Sequence, residues 1–364
     1  MKRETMARAC ALFFVALLAS VQLAAQTKGL PADKVKKVEA LISAEMAKQK
    51  IPGLSVAIVT DNQLTWSNGY GMADVENSVP ANAATMYRLA SISKPITATA
   101  AMQLVERGKI DMDAPVQKYC AAFPEKPQMI TTRQLLSHQS GIRHYKSYEE
   151  FNSTRHYNSI NEALDIFKND PLLQEPGTKY TYTTFGYVLL GCVIEGASGV
   201  PYADYVRENI LKPAGMTGMR VDEVAAIIPH RARGYGKTKA GELRNAELFD
   251  SSNKIPGGGW TSAVDDLAKF AIAAQTNALV KRETLDQMLT RQKTSDGKET
   301  RYGMGWNIGE RNGQKEVWHG GAQQGLSTTL YIMPGKRLAV AIMTNMELLD
   351  EFELARQIAD VVLQ

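Results

Sequence analysis

Two side chains near the start of one predicted helix could together form a nucleophile. Ser91 and Lys94 stand three positions apart, and residues at this spacing on a helix share one face. The N-terminus of a helix carries partial positive charge that favours an oxyanion. Partial desolvation lowers the pKa of a lysine, so that it can give up its proton and act as a base. The spacing therefore predicts a serine nucleophile, Ser91, with Lys94 as its base.

The Ser-x-x-Lys pattern is common when it is taken alone. It also occurs at 251–254 and 295–298, where polar surroundings indicate loops, and a serine at the start of a helix is more often a cap than a nucleophile. The first copy differs because apolar residues recur at helical spacing from Ile96 to Val105, which predicts a core-facing helix. Pro95 suits this helix, since the first turn has no internal partner for its N–H groups.

Two further segments could complete such a site. Tyr182 precedes an apolar run and could carry a proton between a serine and a leaving group, if nearby cations depress its pKa. Taken alone, one of fourteen tyrosines is more often a packing residue. At 318–322 a predicted strand ends in His319 and two glycines. The glycines let backbone N–H groups approach a bound carbonyl and His319 offers a donor, although a strand-end turn with a surface histidine is the better interpretation of this segment taken alone.

Hydrophobic periodicity predicts the elements that must bring these segments together. An amphipathic helix at Lys34–Lys48 precedes a hairpin of two strands, Leu54–Thr60 and Gln63–Gly71. Strands return near the C-terminus at 303–308, 315–319, 327–333 and 338–344, before a last helix at 348–362. Strands at both chain ends with helices between them predict an α+β fold, in which one antiparallel sheet is built from both ends and flanked by helices.

The middle of the chain, from about 111 to 255, is predicted to be an inserted, largely helical subdomain. The helices expected in and after it lie at 131–137, 161–169, 185–197, 202–211 and 267–274. The glycines at 257–259 are expected to form a tight loop, and Ser262 with Asp265 matches a capping pattern before the last of these helices. Subdomain and sheet together form one domain spanning 26–364.

Composition and charge set limits on function. The 364 residues are 44% hydrophobic and 22% charged, with a net charge of +4, which is ordinary for a globular protein. Charges of one sign form no block, so nothing indicates a nucleic-acid partner.

Residues 1–25 combine basic residues, an apolar run and a small-residue end, which is typical of a cleaved secretory signal peptide. An uncleaved anchor is the alternative, but the apolar run is short for a membrane span. We therefore expect a periplasmic or secreted protein with no stable membrane span after cleavage. Cleavage leaves Cys120 and Cys192. An exported location allows them to pair, but their spacing does not indicate it, and Cys192 is expected to be a small buried side chain.

Taken in order, three segments resemble the motifs of the penicillin-recognising serine hydrolases. They are Ser91-Ile-Ser-Lys94, Tyr182-Thr-Thr184 and His319-Gly-Gly321. The class C β-lactamase-like group, which also holds penicillin-binding-protein-like esterases and D-amino-acid peptidases, is the closest branch, and the run 123–145 is similar to its animal mitochondrial members. The resemblance implies a β-lactamase/transpeptidase-like fold and covers about 36–345.

The resemblance also implies roles for individual residues. Ser91 would be acylated, Lys94 would be its base, and Tyr182 would assist proton transfer. The backbone N–H groups of Ser91 and Ala322 would form the oxyanion hole, beside Gly321. The resemblance implies no metal and no organic cofactor.

Two departures from the family pattern affect substrate recognition. Thr184 stands where a β-lactamase of this group has an asparagine that contacts the substrate's acylamide group, and His319 replaces a lysine that faces the substrate carboxylate. Histidine is mostly neutral at pH 7, so both changes weaken recognition of a penicillin. We therefore expect a serine hydrolase acting on a small-molecule or peptide substrate, either an amide, a peptide or an ester. A genuine β-lactamase and a non-catalytic binding or assembly protein are the alternatives, and the oligomeric state is left open.

Overall fold

A seven-stranded antiparallel sheet forms the centre of the protein. The computed structural model describes residues 29–364, so the predicted signal peptide lies outside the described residues. In sheet order the strands are β3 (Val79–Pro80), β2 (Gln63–Asp74), β1 (Gly53–Thr60), β12 (Leu338–Thr344), β11 (Leu326–Met333), β10 (Gln314–Gln323) and β9 (Asn307–Arg311).

The two ends of the chain meet in the middle of this sheet. Strand β1 pairs with β12 from Leu54–Thr344 to Val59–Ala339. Both strands are buried along almost their whole length, which is why their sequences are continuous apolar runs rather than alternating ones. The prediction of one antiparallel sheet built from both chain ends is confirmed.

Helices cover both faces of the sheet. On one face α1 (Ala32–Gln49) and α11 (Phe352–Leu363) bury an apolar cluster that includes Val38, Ile42 and Ile358. On the other face lie α9 (Val264–Ala273) and the larger core that the sheet shares with the helical region. The remaining helices are α2 (Ser93–Glu106), α3 (Thr132–Leu136), α4 (Tyr148–Phe151), α5 (Ile160–Leu164), α6 (Thr184–Ser198), α7 (Tyr202–Val206), α8 (Ile255–Gly258) and α10 (Arg282–Met288).

Short strands connect the helical region to the site. One small sheet has the order β4 (Tyr87–Arg88), β8 (Trp260–Ser262) and β5 (Arg220–Val221), and a hairpin joins β6 (Tyr235–Lys237) to β7 (Leu243–Asn245). Because β4 leads directly into the turn that carries Ser91, its pairing with β8 ties that turn to the segment that carries α8.

Some predicted boundaries are wrong for local reasons. Gly257 and Gly258 end the short helix α8 instead of forming a loop. Ser262 ends β8, and α9 begins after Ala263 with no side-chain cap, so the predicted capping pattern does not form. The strand predicted at 303–308 begins only at Asn307, since Gly305 takes a left-handed backbone conformation with a φ of +88°.

Two findings concern the helix α6. Its Cys192 is buried and forms a disulfide with Cys120, so the residue is part of a cross-link rather than a free buried thiol. Among residues 29–364, no single helix is long and apolar enough to cross a membrane. The bent pair of α6 with the segment 202–211 meets the length and composition limits only when the two are counted together.

Candidate active site

Ser91 lies in a tight turn immediately before the helix that was expected to carry it. The turn, Ala90–Ile92, is a 3-10 helix whose hydrogen bond runs from Ile92 N to Leu89 O over 3.2 Å. The donor of that bond is the residue after Ser91, so the N–H of Ser91 is not used by it. Ala90 has a φ of +45°, which is unfavourable for a residue with a Cβ and costs on the order of 1 kcal/mol. The backbone is thus strained directly beside the candidate nucleophile.

Lys94 reaches Ser91 from the first turn of α2. Its Nζ lies 2.9 Å from Ser91 Oγ, and it donates to Gly257 O over 2.7 Å and to Thr184 Oγ1 over 3.2 Å. The side chain is fully buried, and burial lowers its pKa well below the ordinary value, with a further contribution from the charge on Lys254. A neutral amine has two N–H groups, and here they donate hydrogen bonds to Gly257 O and Thr184 Oγ1. Its lone pair is then directed at the hydroxyl of Ser91.

Tyr182 donates from the opposite side of the same hydroxyl. Its phenol oxygen lies 2.8 Å from Ser91 Oγ, and Lys94 Nζ lies 4.9 Å from the centre of its ring. A depressed pKa was the condition attached to a proton-transfer role for this phenol. That condition is not met, because burial dominates and raises the pKa of Tyr182 well above 10.0. Tyr182 is therefore a proton donor at neutral pH.

The strand β10 presents an open edge to this group. Its pairing with β9 runs only from Gln314 to Trp318, whereas β10 continues to Gln323 rather than ending at a turn. A Cβ on Gly321 would lie 2.3 Å from Leu89 O and 3.1 Å from Ser91 N. Only glycine allows the strand to come this close, and the approach sets Ala322 beside the turn that carries Ser91.

His319 lies on β10, and both nitrogens of its ring are hydrogen-bonded within the protein. Nδ1 is 2.7 Å from Gly320 O and Nε2 is 3.0 Å from the hydroxyl of Tyr302. A carbonyl can only accept, so Nδ1 carries the proton and Nε2 accepts from Tyr302. Burial is the main cause that lowers the pKa of His319 to about 3, and a proton on Lys94 acts in the same direction. The ring is neutral, as expected, but it braces the strand instead of offering the free donor that we predicted.

Thr184 also turns inward. Its hydroxyl is bonded to Lys94, and its backbone N–H donates to Nδ1 of His144 over 3.2 Å. The side chain is buried at the N-terminus of α6. It therefore orients the amine, and its hydroxyl supplies no amide group to a substrate.

Sequence reasoning missed several residues around this group. Gly257 contributes its backbone carbonyl, which accepts from Lys94, and no pattern of side chains reveals such a contact. His138 accepts a hydrogen bond from Thr183 N over 3.2 Å, and its ring centre lies 4.4 Å from that of Tyr182. His138 and His144 are isolated histidines in a loop-rich segment. The only available signal was the likeness of that segment to the family.

The surroundings of the hydroxyl suit negative charge that develops during a reaction. Lys94 and Lys254 are both buried, and no carboxylate among residues 29–364 lies within 4.0 Å of either amine. A buried setting with N–H donors and no such carboxylate stabilises negative charge that develops on a substrate oxygen. The arrangement can thus remove a proton from Ser91, stabilise an oxyanion and return a proton from a phenol.

These features define a class of protein, the serine hydrolases in which a lysine rather than a histidine activates the nucleophile. The chain belongs to the Beta-lactamase family, whose sequence pattern matches residues 38–363. The likeness to that family stated from the motifs is confirmed.

Named relatives and solved structures agree with this assignment. The human "Serine beta-lactamase-like protein LACTB, mitochondrial" is 33% identical over 78% of this chain and 69% of its own length. The structure of the octameric penicillin-binding protein homologue from Pyrococcus abyssi is 29% identical, with a TM-score of 0.79 over 90% of this chain and 77% of that one. D-amino acid amidase from Ochrobactrum anthropi SV3, complexed with D-phenylalanine, shares the fold, with a TM-score of 0.79 at 24% identity over 91% of this chain and 98% of that one.

Proposed function

We propose that this protein is an exported serine hydrolase that acts through an acyl-enzyme on Ser91, with an amide, a peptide or an ester as its substrate. The observation that carries the proposal is the set of three contacts on Lys94 Nζ. Two acceptors take the two N–H groups of a neutral amine, and the third neighbour is the hydroxyl that must lose a proton.

Acylation follows from this geometry. Lys94 takes the proton of Ser91 as Oγ attacks the substrate carbonyl, and the N–H groups of Ser91 and Ala322 receive the resulting oxyanion. Tyr182 then gives its phenolic proton to the leaving group as the bond to that group breaks. Lys94 then passes the proton that it took from Ser91 to the phenolate of Tyr182, which becomes a phenol again. Water releases the acyl group by the same steps in reverse order.

The substrate is proposed to be something other than a penicillin or cephalosporin. Thr184 is used to hold Lys94, and His319 is buried, neutral and bonded to Tyr302. Neither residue supplies the amide or the permanent cation that β-lactam recognition in the family calls for. The nucleophilic group is complete, so the proposal keeps hydrolysis and changes its substrate.

Export is proposed from two observations. Residues 1–25 have the pattern of a signal peptide, and Cys120 is bonded to Cys192. Disulfides persist in oxidising compartments such as the periplasm and the extracellular space. Determining the N-terminus and the free-thiol content of the protein recovered from each cell fraction tests the proposal. A full-length chain with two alkylatable thiols at 120 and 192, found only in the cytosol, would contradict it.

Reaction with a fluorophosphonate, followed by mass mapping, tests the acyl-enzyme. We expect one adduct on Ser91, its loss in Ser91→Ala, and full labelling in the matched control Ser295→Ala, which removes the serine of the exposed Ser-x-x-Lys copy. No adduct on Ser91 in folded protein would contradict the proposed chemistry. If nitrocefin were hydrolysed far faster than p-nitrophenyl esters and D-alanyl peptides, the protein would be a β-lactamase instead.

A further inference from the structure

A second buried lysine, Lys254, stands three residues before Gly257, the acceptor of Lys94, without taking part in the contacts described so far. Lys254 belongs to the Ser-x-x-Lys copy at 251–254, but that copy is not a second nucleophile. The hydroxyl of Ser251 donates to Asp222 O over 3.3 Å, and Lys254 Nζ donates instead to Phe151 O over 2.9 Å.

The surroundings of Lys254 are unusual for an ammonium group. The residue is 2% exposed. Its Nζ lies 5.1 Å, 5.0 Å and 5.2 Å from the ring centres of Tyr145, Phe151 and Phe249. The ring faces compensate part of the lost hydration through cation–π attraction. Since no carboxylate within the described chain lies within 4.0 Å of this amine, a buried charge here acts on its neighbours with little screening.

Backbone geometry couples Lys254 to Lys94. The 3-10 turn Ser252–Lys254 runs directly into α8, whose Gly257 O accepts the hydrogen bond from Lys94 Nζ. Thr97 of α2 donates to Pro256 O over 2.6 Å, which fastens α8 to the helix that carries Lys94. One continuous segment therefore supplies both the acceptor for Lys94 and a second buried amine.

We propose that Lys254 is a positioning residue for the base: its charge, held on the same segment as Gly257, disfavours a proton on Lys94 and so keeps that amine neutral in acidic solution. The inference rests on the proposed function of Ser91 and Lys94. It assigns to Lys254 an electrostatic effect on the base, without contact with the substrate.

The other charged and titratable groups around Lys254 leave this effect intact. Arg88 is paired with Asp222 over 2.6 Å. Burial and, after it, the charge of Arg88 lower the pKa of Lys254 to about 7. His144 is neutral above a pKa of about 3, and burial raises the pKa of Tyr145. Lys254 therefore carries its charge below about pH 7 and loses it above.

The sign of the effect follows. A positive charge on Lys254 makes protonation of Lys94 less favourable, so the pKa of Lys94 is lower when Lys254 is charged. Because Lys254 is charged only in acidic solution, its contribution appears on the acid side of the pH–rate profile and vanishes at alkaline pH. A shift of one pKa unit changes the fraction of neutral base about tenfold on that side.

The test is the rate at which a fluorophosphonate labels Ser91 between pH 5 and pH 9. In Lys254→Met we expect the acid limb to move to higher pH, with labelling on that limb slowed by up to about tenfold for each pH unit of movement and labelling at pH 9 unchanged. Lys254→Arg keeps the charge and should label at pH 6 at the wild-type rate or faster. Lys126→Met is the matched control, since the amine of Lys126, like that of Lys254, donates to the backbone and lies beside a phenylalanine ring, but away from the site.

The outcomes separate the two proposals. An unlabelled Ser91 in the wild-type protein would contradict the proposed function itself. If Ser91 is labelled in the wild type, two results would overturn the role of Lys254 and leave the hydrolase proposal standing. Lys254→Met could show the same acid limb as the wild type, or it could be slowed by the same factor at every pH. If Lys254→Met does not fold, Lys254→Arg decides alone, and an acid limb moved to higher pH in that variant would overturn the role.

Discussion

The amine of Lys94 donates to the carbonyl of Gly257 over 2.7 Å, although the two residues are 163 positions apart. With the second donation to Thr184, this contact uses both N–H groups of a neutral amine and leaves its lone pair for Ser91. A backbone carbonyl cannot be neutralised or titrated, so the orientation of the base does not depend on pH even where its charge does.

Replacement of Lys94 should stop acylation without unfolding the protein. In Lys94→Met the base is lost and we expect labelling of Ser91 by a fluorophosphonate to slow by about 10³-fold or more. Lys94→Arg should be equally slow, because an arginine stays charged and cannot accept a proton. The free energy of unfolding of the Met variant should equal or exceed that of the wild type at pH 7, since a buried amine is replaced by an apolar side chain of similar length. Labelling within tenfold of wild type in both variants would show that another group removes the proton.

Tyr182→Phe should separate proton donation from nucleophilic attack. The phenol donates to Ser91 Oγ over 2.8 Å and burial keeps it protonated. Its loss removes a general acid, which is worth about 10²- to 10⁴-fold. We expect kcat on p-nitrophenyl esters to fall less than kcat on an amide, because p-nitrophenolate leaves without a proton. Tyr180→Phe, which removes a neighbouring phenol not bonded to Ser91, is the control. Equal losses on both substrates would assign Tyr182 a role in packing alone.

The central part of both fold and site could be predicted from the sequence. Apolar runs at the two chain ends predict the strands that pair in the sheet, and the spacing of Ser91 and Lys94 predicts their contact, which forms at 2.9 Å. These features are local, or depend on hydrophobic pattern alone. The contact of Tyr182 with Ser91 needed the family resemblance, because nothing local distinguishes that tyrosine from a packing residue.

The features that could not be predicted depend on tertiary burial. The pKa of Tyr182 is set mainly by desolvation, and the sequence does not reveal how deep a residue lies. Taken alone, the segment of His319 favoured a surface histidine, but the residue is 2% exposed, because β10 continues past it as a strand. Gly257 acts through its backbone oxygen. A pattern of side chains carries no information about such a contact.

Removal of the disulfide should destabilise the protein without changing the site. Cys120 and Cys192 close a loop of 72 residues, for which chain entropy predicts about 4 kcal/mol of stabilisation. We expect Cys120→Ala combined with Cys192→Ala to lower the free energy of unfolding, measured with urea, by that amount. Labelling of Ser91 at low temperature should match the wild type. A loss below 1 kcal/mol, with free thiols detected in the wild type, would mean that the bond does not form.

Acid should destabilise the folded state through its neutral histidines. Burial lowers the pKa of His319 to about 3 and that of His144 to about 3, against about 6.5 in an unfolded chain. The unfolded state therefore binds protons that the folded state does not, and stability falls as pH drops below about 6.5. Each residue should cost about 2 kcal/mol between pH 7 and pH 5. We expect His319→Asn to reduce the pH-dependent loss by about that amount, with His230→Asn, an exposed histidine, as the control. An unchanged loss in His319→Asn would contradict the neutral, buried state.

Two adjacent glycines offer a matched test of the open strand edge. A Cβ on Gly321 would lie 2.3 Å from Leu89 O, whereas a Cβ on Gly320 would meet nothing closer than Thr328 O at 3.9 Å. Gly321→Ala must push β10 away from the turn that carries Ser91, and so separate the N–H of Ala322 from that of Ser91. Loss of one donor from an oxyanion hole slows acyl transfer by about 10²- to 10³-fold. We therefore expect p-nitrophenyl ester hydrolysis to fall by about that factor in Gly321→Ala and by less than about threefold in Gly320→Ala. Equal activity in the two variants would show that the edge of β10 takes no part in stabilising the oxyanion.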